Sequence, residues 1–395
     1  MREDPYPVTL IETIADLEDL AERLKGEPRI GVDVESDSFY SYHDKVCLLQ
    51  LSSSGEDIVI DPLAVKDLSP LGPMFRDPAV EKIFHACEYD ILCLKRDFGF
   101  GIHNIFDTLV AARSLGSAKL GLAALIEIYF GVKLSKKLQR ADWGKRPMSL
   151  EQIEYARNDT HYLLRLRDIL SDELKAKGLL EDAADEFARL EKIEPVDRSF
   201  DPESFWSLRG AKDLSPQARA VLRGLYLFRE RTAAGLDKTP FRVLPEDLLV
   251  RLAERLPADR EAVRTVPGMT PYLFRRFGSE LLAEIAQGLA AEPIDSPPER
   301  PRRHDWDGDS LRHYEALRLW RKGVAEKRGV NPVVILPTDE LRRVAQAASR
   351  SEKPEDWVAP LSSYKVDLYG AEILGILRAP KPPKSKRRRR RRSAP

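Results

Sequence analysis

The sequence of 395 residues is poor in cysteine. Cys47, Cys87 and Cys93 are its only three. They make no disulfide framework and no CxxC pair, which suits a reducing compartment. No apolar run approaches the roughly 18 residues that a membrane-crossing helix needs. The opening stretch MREDPYPVTLIETIADLEDL is acidic and amphipathic. It lacks the basic segment, apolar stretch and small-residue cleavage site of an export signal, so the expected location is the cytoplasm. The six histidines show neither HExxH nor a Cys/His zinc spacing. There is no GxxxxGK[ST], which excludes a Walker-type phosphate loop and a helicase motor.

What is present supports folded domains. Hydrophobic residues make up 43% and charged residues 32%, enough apolar content for packed cores. The length predicts two to three domains. The net charge of zero conceals an asymmetry. Residues 381–392, KPPKSKRRRRRR, carry three Lys and six Arg and no acid; without these nine, 55 bases face 64 acids, a net of −9. An acidic body with a polycationic tail implies a polyanionic partner for the tail.

Residues 9–24 read as one helix, with Thr9 and Glu12 at capping-box spacing and an apolar stripe of Ile11, Ile14, Leu17, Leu20 and Leu24. β-type runs follow: RIGVDVES to residue 36, VCLLQLSS (46–53), DIVIDP (57–62), KIFHA (82–86) and, more weakly, IHNIFD (102–107). From 108 to 192 the pattern is mostly helical, with a break over 134–149. This order predicts one α/β domain of about 190 residues. Pro195 with the acidic stretch to residue 203 marks one linker, and the proline-rich 292–309 marks a second.

Around the second linker the sequence repeats at an offset of 92 residues. Leu227, Phe228, Arg229, Pro240, Leu244, Pro245 and Asp247 fall on Leu319, Trp320, Arg321, Pro332, Leu336, Pro337 and Asp339. A gapless register of this length predicts two copies of one small helical module. In each copy the Leu-Pro-(Glu/Thr)-Asp step reads as the start of a helix. Gly308-Asp309-Ser310-Leu311 spells a GDSL motif, but its place predicts that Asp309 and Ser310 cap a helix starting near Leu311.

Acids in unusual places carry the chemistry. In GVDVES, Asp33 and Glu35 are two apart on a strand and share one face, while Val32 and Val34 face the other way. Two like charges on a core strand need compensation, and a hard divalent cation is a common one; on a solvent-facing edge strand the same pair is harmless. Asp90 follows an apolar strand at a strand-to-helix junction, where α/β sheets place their sites, though an acid in a helix's first turn is also favoured by the macrodipole. Tyr155 and Asp159 are four apart, on one helix face, where a phenol beside a carboxylate can orient a water.

Taken together, Asp33-x-Glu35, Asp90 and Tyr155-x3-Asp159 resemble the DEDD family of 3′–5′ exonucleases in its tyrosine-bearing (DEDDy) branch. The histidine-bearing branch would need His where Glu154 stands. VCLLQLS, FHACEYDILCLKRDFG, FDTLVAARSLG and SKKLQRADWGKRPMSLEQIEYARND narrow the resemblance to ribonuclease D, and the repeated module is similar to the HRDC domain. The resemblance implies an α/β RNase H-like exonuclease domain, a mixed sheet flanked by helices, followed by two all-α HRDC-like helical domains. The implied division is 1–194 exonuclease, 195–210 linker, 211–290 first module, 291–309 linker, 310–379 second module and 380–395 tail.

The resemblance further implies that Asp33, Glu35, Asp90 and Asp159 hold two Mg²⁺ or Mn²⁺ ions, with Tyr155 orienting the attacking water. The expected partner is RNA with a free 3′ end, tRNA precursors foremost. DNA remains possible, and no membrane or small-molecule cofactor is expected. A monomer is expected. A DNA 3′–5′ exonuclease and a catalytically weak nucleic-acid-binding scaffold stay open as alternatives. The tail residues Arg387, Arg388, Arg389, Arg390, Arg391 and Arg392 are candidate phosphate contacts. So are Arg223, Arg229, Arg231, Lys238, Arg242, Arg318, Arg321, Lys322, Lys327 and Arg328 of the modules.

Overall fold

The structure, a computed structural model, describes residues 8–195, 200–298 and 306–379. Parts of both expected linkers and the basic tail, Arg387 to Arg392 included, lie outside the described residues.

The first apolar run is not one helix. Val8–Ile11 forms strand β1, and helix α1 (Ile14–Arg23) starts only after Thr13, whose hydroxyl accepts from the Asp16 amide. Parallel pairing with β4 (Asp57–Ile60) claims the four residues from Val8. The stripe then loses Ile14 to solvent while Leu17, Leu20 and Leu24 stay buried. The capping box expected at Thr9 and Glu12 is therefore replaced by a cap at Thr13.

Strands β2 (Arg29–Ser36), β3 (Val46–Ser52) and β4 follow. Short helices α2 (Pro62–Val65) and α3 (Gly72–Arg76) lead to β5 (Glu81–Phe84), α4 (Glu88–Phe98) and β6 (Ile105–Asp107). The strands form a six-stranded sheet in the order β1-β4-β3-β2-β5-β6. β3 runs antiparallel to both neighbours and the other pairs are parallel, so the sheet is mixed. Helices α5 (Thr108–Ser114), α6 (Leu122–Phe130), α7 (Leu150–His161), α8 (Leu163–Ala176) and α9 (Leu180–Glu191) complete this part. β2 lies centrally, with Val32 and Val34 in the core. Gly31 lets α7 approach: a Cβ there would stand 3.2 Å from the Thr160 carbonyl oxygen and 3.3 Å from Leu163 Cβ.

The repeat appears as two matching sets of helices. The first holds α10 (Pro216–Gly235), α11 (Pro240–Val243), α12 (Glu246–Arg255), α13 (Arg260–Arg264) and α14 (Pro271–Ala290). The second holds α15 (Gly308–Arg328), α16 (Pro332–Ile335), α17 (Thr338–Arg350), α18 (Pro354–Val358) and α19 (Ser363–Arg378). The buried residues Leu225, Leu244, Leu249, Phe277 and Leu281 recur as Leu317, Leu336, Leu341, Tyr369 and Ile373. Each copy has its own apolar cluster, apart from the core around the sheet.

The GDSL segment caps differently from expectation. The cap is Asp307, whose carboxylate accepts from the Ser310 amide at 2.6 Å. Asp309 and Ser310 sit inside the first turn of α15, and buried Ser310 lies 2.6 Å from the Ser349 hydroxyl.

Both modules grip the sheet domain at the corner where the first helix ends and the short helix begins, and the second adds a contact from the start of its last helix. In the first module the Thr239 amide donates to the Tyr40 carbonyl, and Arg242 donates to the Phe39 carbonyl at 2.7 Å. In the second, Arg328 donates to both oxygens of Asp182, and Lys365 reaches Asp185. Several module cations expected to meet phosphates have partners within the protein, though some of these pairs lie at the surface. Arg229 is buried against Glu230, Arg321 donates to the Leu336 carbonyl, and Arg223, Arg231 and Arg318 pair with Glu203, Glu284 and Glu315. A near-balanced charge count within the modules favours such internal pairing over a free basic face.

Candidate active site

Three elements bring the acids together. β2 presents Asp33 and Glu35 on the face opposite Val32 and Val34. α7 carries Tyr155 and Asp159 one turn apart. Its start is fixed by a capping box: Ser149 Oγ accepts from the Gln152 amide, and the Gln152 side chain accepts from the Ser149 amide. The loop before α7 is fastened by Arg146, whose guanidinium grips Asp61 with two nitrogens and also donates to the Trp143 and Cys47 carbonyls. Buried Trp143 in turn packs beside Tyr155, ring centres 5.8 Å apart. α4 supplies Asp90 just past the end of β5.

One carboxylate oxygen each from Asp33, Glu35 and Asp159 lies within 4.8 Å of the others. Asp90 is outside that trio, but its charge reaches Asp33 and Glu35. Burial, then the charges of Asp90, Asp159 and Glu35, hold Asp33 well above the usual carboxylate range. Burial first, then Asp159 and Asp90, push Glu35 up to about 9. Burial raises Asp159 to about 7. Asp90 is raised by burial, then by Asp107 and Asp159. Burial and the neighbouring carboxylates also raise the Tyr155 phenol, so it keeps its proton through neutral pH.

No lysine or arginine among the described residues is ion-paired to any of the four acids. Gln50 of β3 lies directly across from Asp33, fully buried, and neither of its amide atoms has a partner. Cross-strand partners share a face, so an unsatisfied amide stands beside the uncompensated acids. Oxygen donors crowded this way fit a hard divalent cation, which would supply the missing positive charge. A cleft lined by Leu134, Ser135, Leu138, Glu151, Glu154, Tyr155, Asn158 and Asp159 opens beside the trio.

Residue-by-residue reading of the sequence did not single out Gln50, Asp107 or His85. Asp107 accepts from the Cys87 amide at the start of α4 and caps α5 through Leu109 and Val110. His85 shares a hydrogen bond with Thr108, which donates to the Phe84 carbonyl. Ala86, between β5 and α4, has φ of 63°, a backbone conformation a non-glycine residue seldom adopts. The signal for Asp107 was present as an Asp-Thr step at the end of an apolar run, but a capping acid reads the same way.

Residues 8–175 match a family described as 3′–5′ exonuclease, and residues 218–285 and 310–377 each match the HRDC domain. A ribonuclease D of Granulibacter bethesdensis is 30% identical over 375 residues, covering 94% of this chain and 93% of its own. The chain belongs to the ribonuclease D family. A 3′–5′ exonuclease domain here precedes two HRDC domains. The crystal structure of Escherichia coli RNase D, described as an exoribonuclease involved in structured RNA processing, matches with a TM-score of 0.64 and 26% identity over 94% of this chain and 98% of that one. Mouse exosome complex component 10 is 32% identical over 292 residues, 71% of this chain. The chain spans about a third of the length of that exosome relative, which it covers to 33%.

Proposed function

We propose that this protein is a metal-dependent 3′–5′ exoribonuclease that shortens RNA from its free 3′ end and releases nucleoside 5′-monophosphates. The observation that carries the reading is the half-buried trio Asp33, Glu35 and Asp159, within 4.8 Å and, among the described residues, without a basic partner. Two divalent ions, Mg²⁺ or Mn²⁺, held by these acids with Asp90, would make a hydroxide from water and stabilise the leaving 3′-oxygen. Tyr155 stays protonated beside Asp159, so its phenol donates a hydrogen bond and orients a water rather than removing a proton. Partial burial of the acids thins the water around them and strengthens charge interactions within the site.

The division of labour follows the chain: exonuclease domain 1–194, linker 195–210, HRDC-like modules 211–290 and 310–379 separated by linker 291–309, and tail 380–395. The separate apolar cores support it. tRNA precursors and other small stable RNAs are the leading substrates by likeness to ribonuclease D. The tail from Arg387 to Arg392 tethers nucleic acid through its phosphates. The protein works in the cytoplasm as a monomer.

The test uses two 5′-labelled single strands of equal sequence, one RNA and one DNA, with Mg²⁺ or Mn²⁺ and an Asp33→Ala control. A one-nucleotide ladder on RNA, absent in the control, is expected. A ladder mainly on DNA would replace RNA by DNA as substrate. Binding without a ladder would leave a scaffold. Tyr155→Phe is expected to slow RNA shortening by about 10²–10⁴-fold, read as single-turnover rates on the same RNA.

A further inference from the structure

The residues that follow Asp159 are fastened to the sheet by a buried polar row. Ser52 ends β3 and Asp57 begins β4, and the two are cross-strand partners. Gly31 of β2 is the partner of Ser52 on its other side. Gly31, Ser52 and Asp57 therefore form one row across three strands, on the face that carries α7. The next row on that face is Asp33 and Gln50, one side-chain repeat away.

Thr160 and His161, the last two residues of α7, land on this row. The Asp57 carboxylate lies 2.7 Å from His161 Nδ1 through one oxygen and 2.7 Å from Ser52 Oγ through the other. Ser52 Oγ is also 2.7 Å from Thr160 Oγ1. A carboxylate only accepts, so the single Ser52 hydrogen goes to Asp57 and the Thr160 hydroxyl donates to Ser52. Ser52, Asp57 and Thr160 are at most 1% exposed. Gly31 closes the row from below, where a Cβ would stand 3.2 Å from the Thr160 carbonyl oxygen.

We propose that Asp57 is a positioning residue of the active site, which through Ser52–Thr160 and His161 fixes the end of α7 and so the place of Asp159 against Asp33 and Glu35. The inference rests on the reading of those acids as a cation site. Apolar packing alone lets a helix slide or turn by fractions of a side chain. Two directed hydrogen bonds to consecutive residues fix both its height and its rotation. Asp57 touches neither substrate nor the trio and acts through α7 alone.

The test uses the full-length protein, with Mn²⁺ alone as probe in titration calorimetry, at a temperature where circular dichroism shows each variant folded. Asp57→Ala is expected to weaken Mn²⁺ binding about 10–100-fold, as loss of support behind a ligand does, and to lower kcat with KM for the RNA unchanged. Thr160→Val keeps the shape and removes the link to Ser52, together with a long 3.4 Å contact to the Arg157 carbonyl inside α7. It is expected to move both quantities the same way by a smaller factor, and it serves in place of Asp57→Ala if that variant does not fold. Wild-type Mn²⁺ affinity and kcat in the folded variant, with only the melting temperature lowered, would overturn the proposal. A wild-type protein that binds Mn²⁺ yet shortens neither RNA nor DNA would defeat the exonuclease reading instead, because the affinity is read without substrate.

Discussion

Acids are buried in two regions of this molecule, and their company differs. At the candidate active site Asp33, Glu35, Asp90 and Asp159 lie near one another without a paired base among the described residues. Under the second module, Asp182 and Asp185 of α9 and Glu340 of α17 are buried more fully than the half-buried Asp33, Glu35 and Asp159, but Arg328 and Lys365 meet them at 2.6 to 3.0 Å. Burial works against the Lys365 charge, and Glu340 with Asp185 more than offset it, so the ammonium is held above its usual value. Paired burial fastens one domain to another. Unpaired burial of like charges costs free energy in the empty protein and marks a place where positive charge must come from outside the chain.

The contrast is broken most directly by removing one charge from each region. Asp33→Asn is expected to abolish RNA shortening yet raise the melting temperature of the metal-free protein, since it relieves repulsion. Lys365→Met is expected to do the reverse. It leaves hydrolysis of a short oligonucleotide intact and destabilises the protein by about 3–5 kcal/mol, because two carboxylates are left buried without a partner. Denaturant unfolding beside a gel assay reads both. Equal destabilisation by the two substitutions would erase the distinction.

A smaller effect sharpens it through pH. The site carboxylates have folded-state values above their unfolded ones, with Asp159 at about 7 and Glu35 at about 9. Between the ordinary carboxylate range and those values the folded protein holds protons that the unfolded chain has lost. Stability of the metal-free protein must then fall as pH rises from about 5 to about 8. Saturating Mn²⁺ is expected to flatten that slope. Melting curves at stepped pH, with and without Mn²⁺, decide it; parallel slopes would mean that the acids are not where the cation binds.

The smallest effect concerns the first module, whose seat uses backbone rather than buried charge. Arg242→Ala removes one hydrogen bond to the Phe39 carbonyl and the guanidinium stacked 3.9 Å over Tyr40. A loss of about 0.5–1.5 kcal/mol is expected in the same unfolding experiment. A loss as large as that of Lys365→Met would make the two seats alike.

Much of this was legible in the sequence, for reasons that differ by residue. Asp33 and Glu35 were readable because a strand alternates strictly, so their shared face followed from spacing alone. The 92-residue repeat was readable because its core positions recur. Where the modules dock was not, because those positions do not recur. Asp237, Thr239 and Arg242 correspond to Gly329, Asn331 and Val334, and Arg328 and Lys365 correspond to Leu236 and Leu273. Strand β1 was hidden because VTLI serves a strand and an apolar helix stripe equally well, and only pairing with β4 decides. Gln50 and Asp57 were hidden because their meaning lies in partners across the sheet.

The grip of the first module also turns backbone amides into reporters. The amides of Tyr42 and His43, seven and eight residues beyond Glu35, both point at the Asp237 carboxylate. Their hydrogens exchange with solvent more slowly while Asp237 holds them. Deuterium uptake at these two amides therefore keeps time for the opening of the first module, measured beside the site and without any substrate.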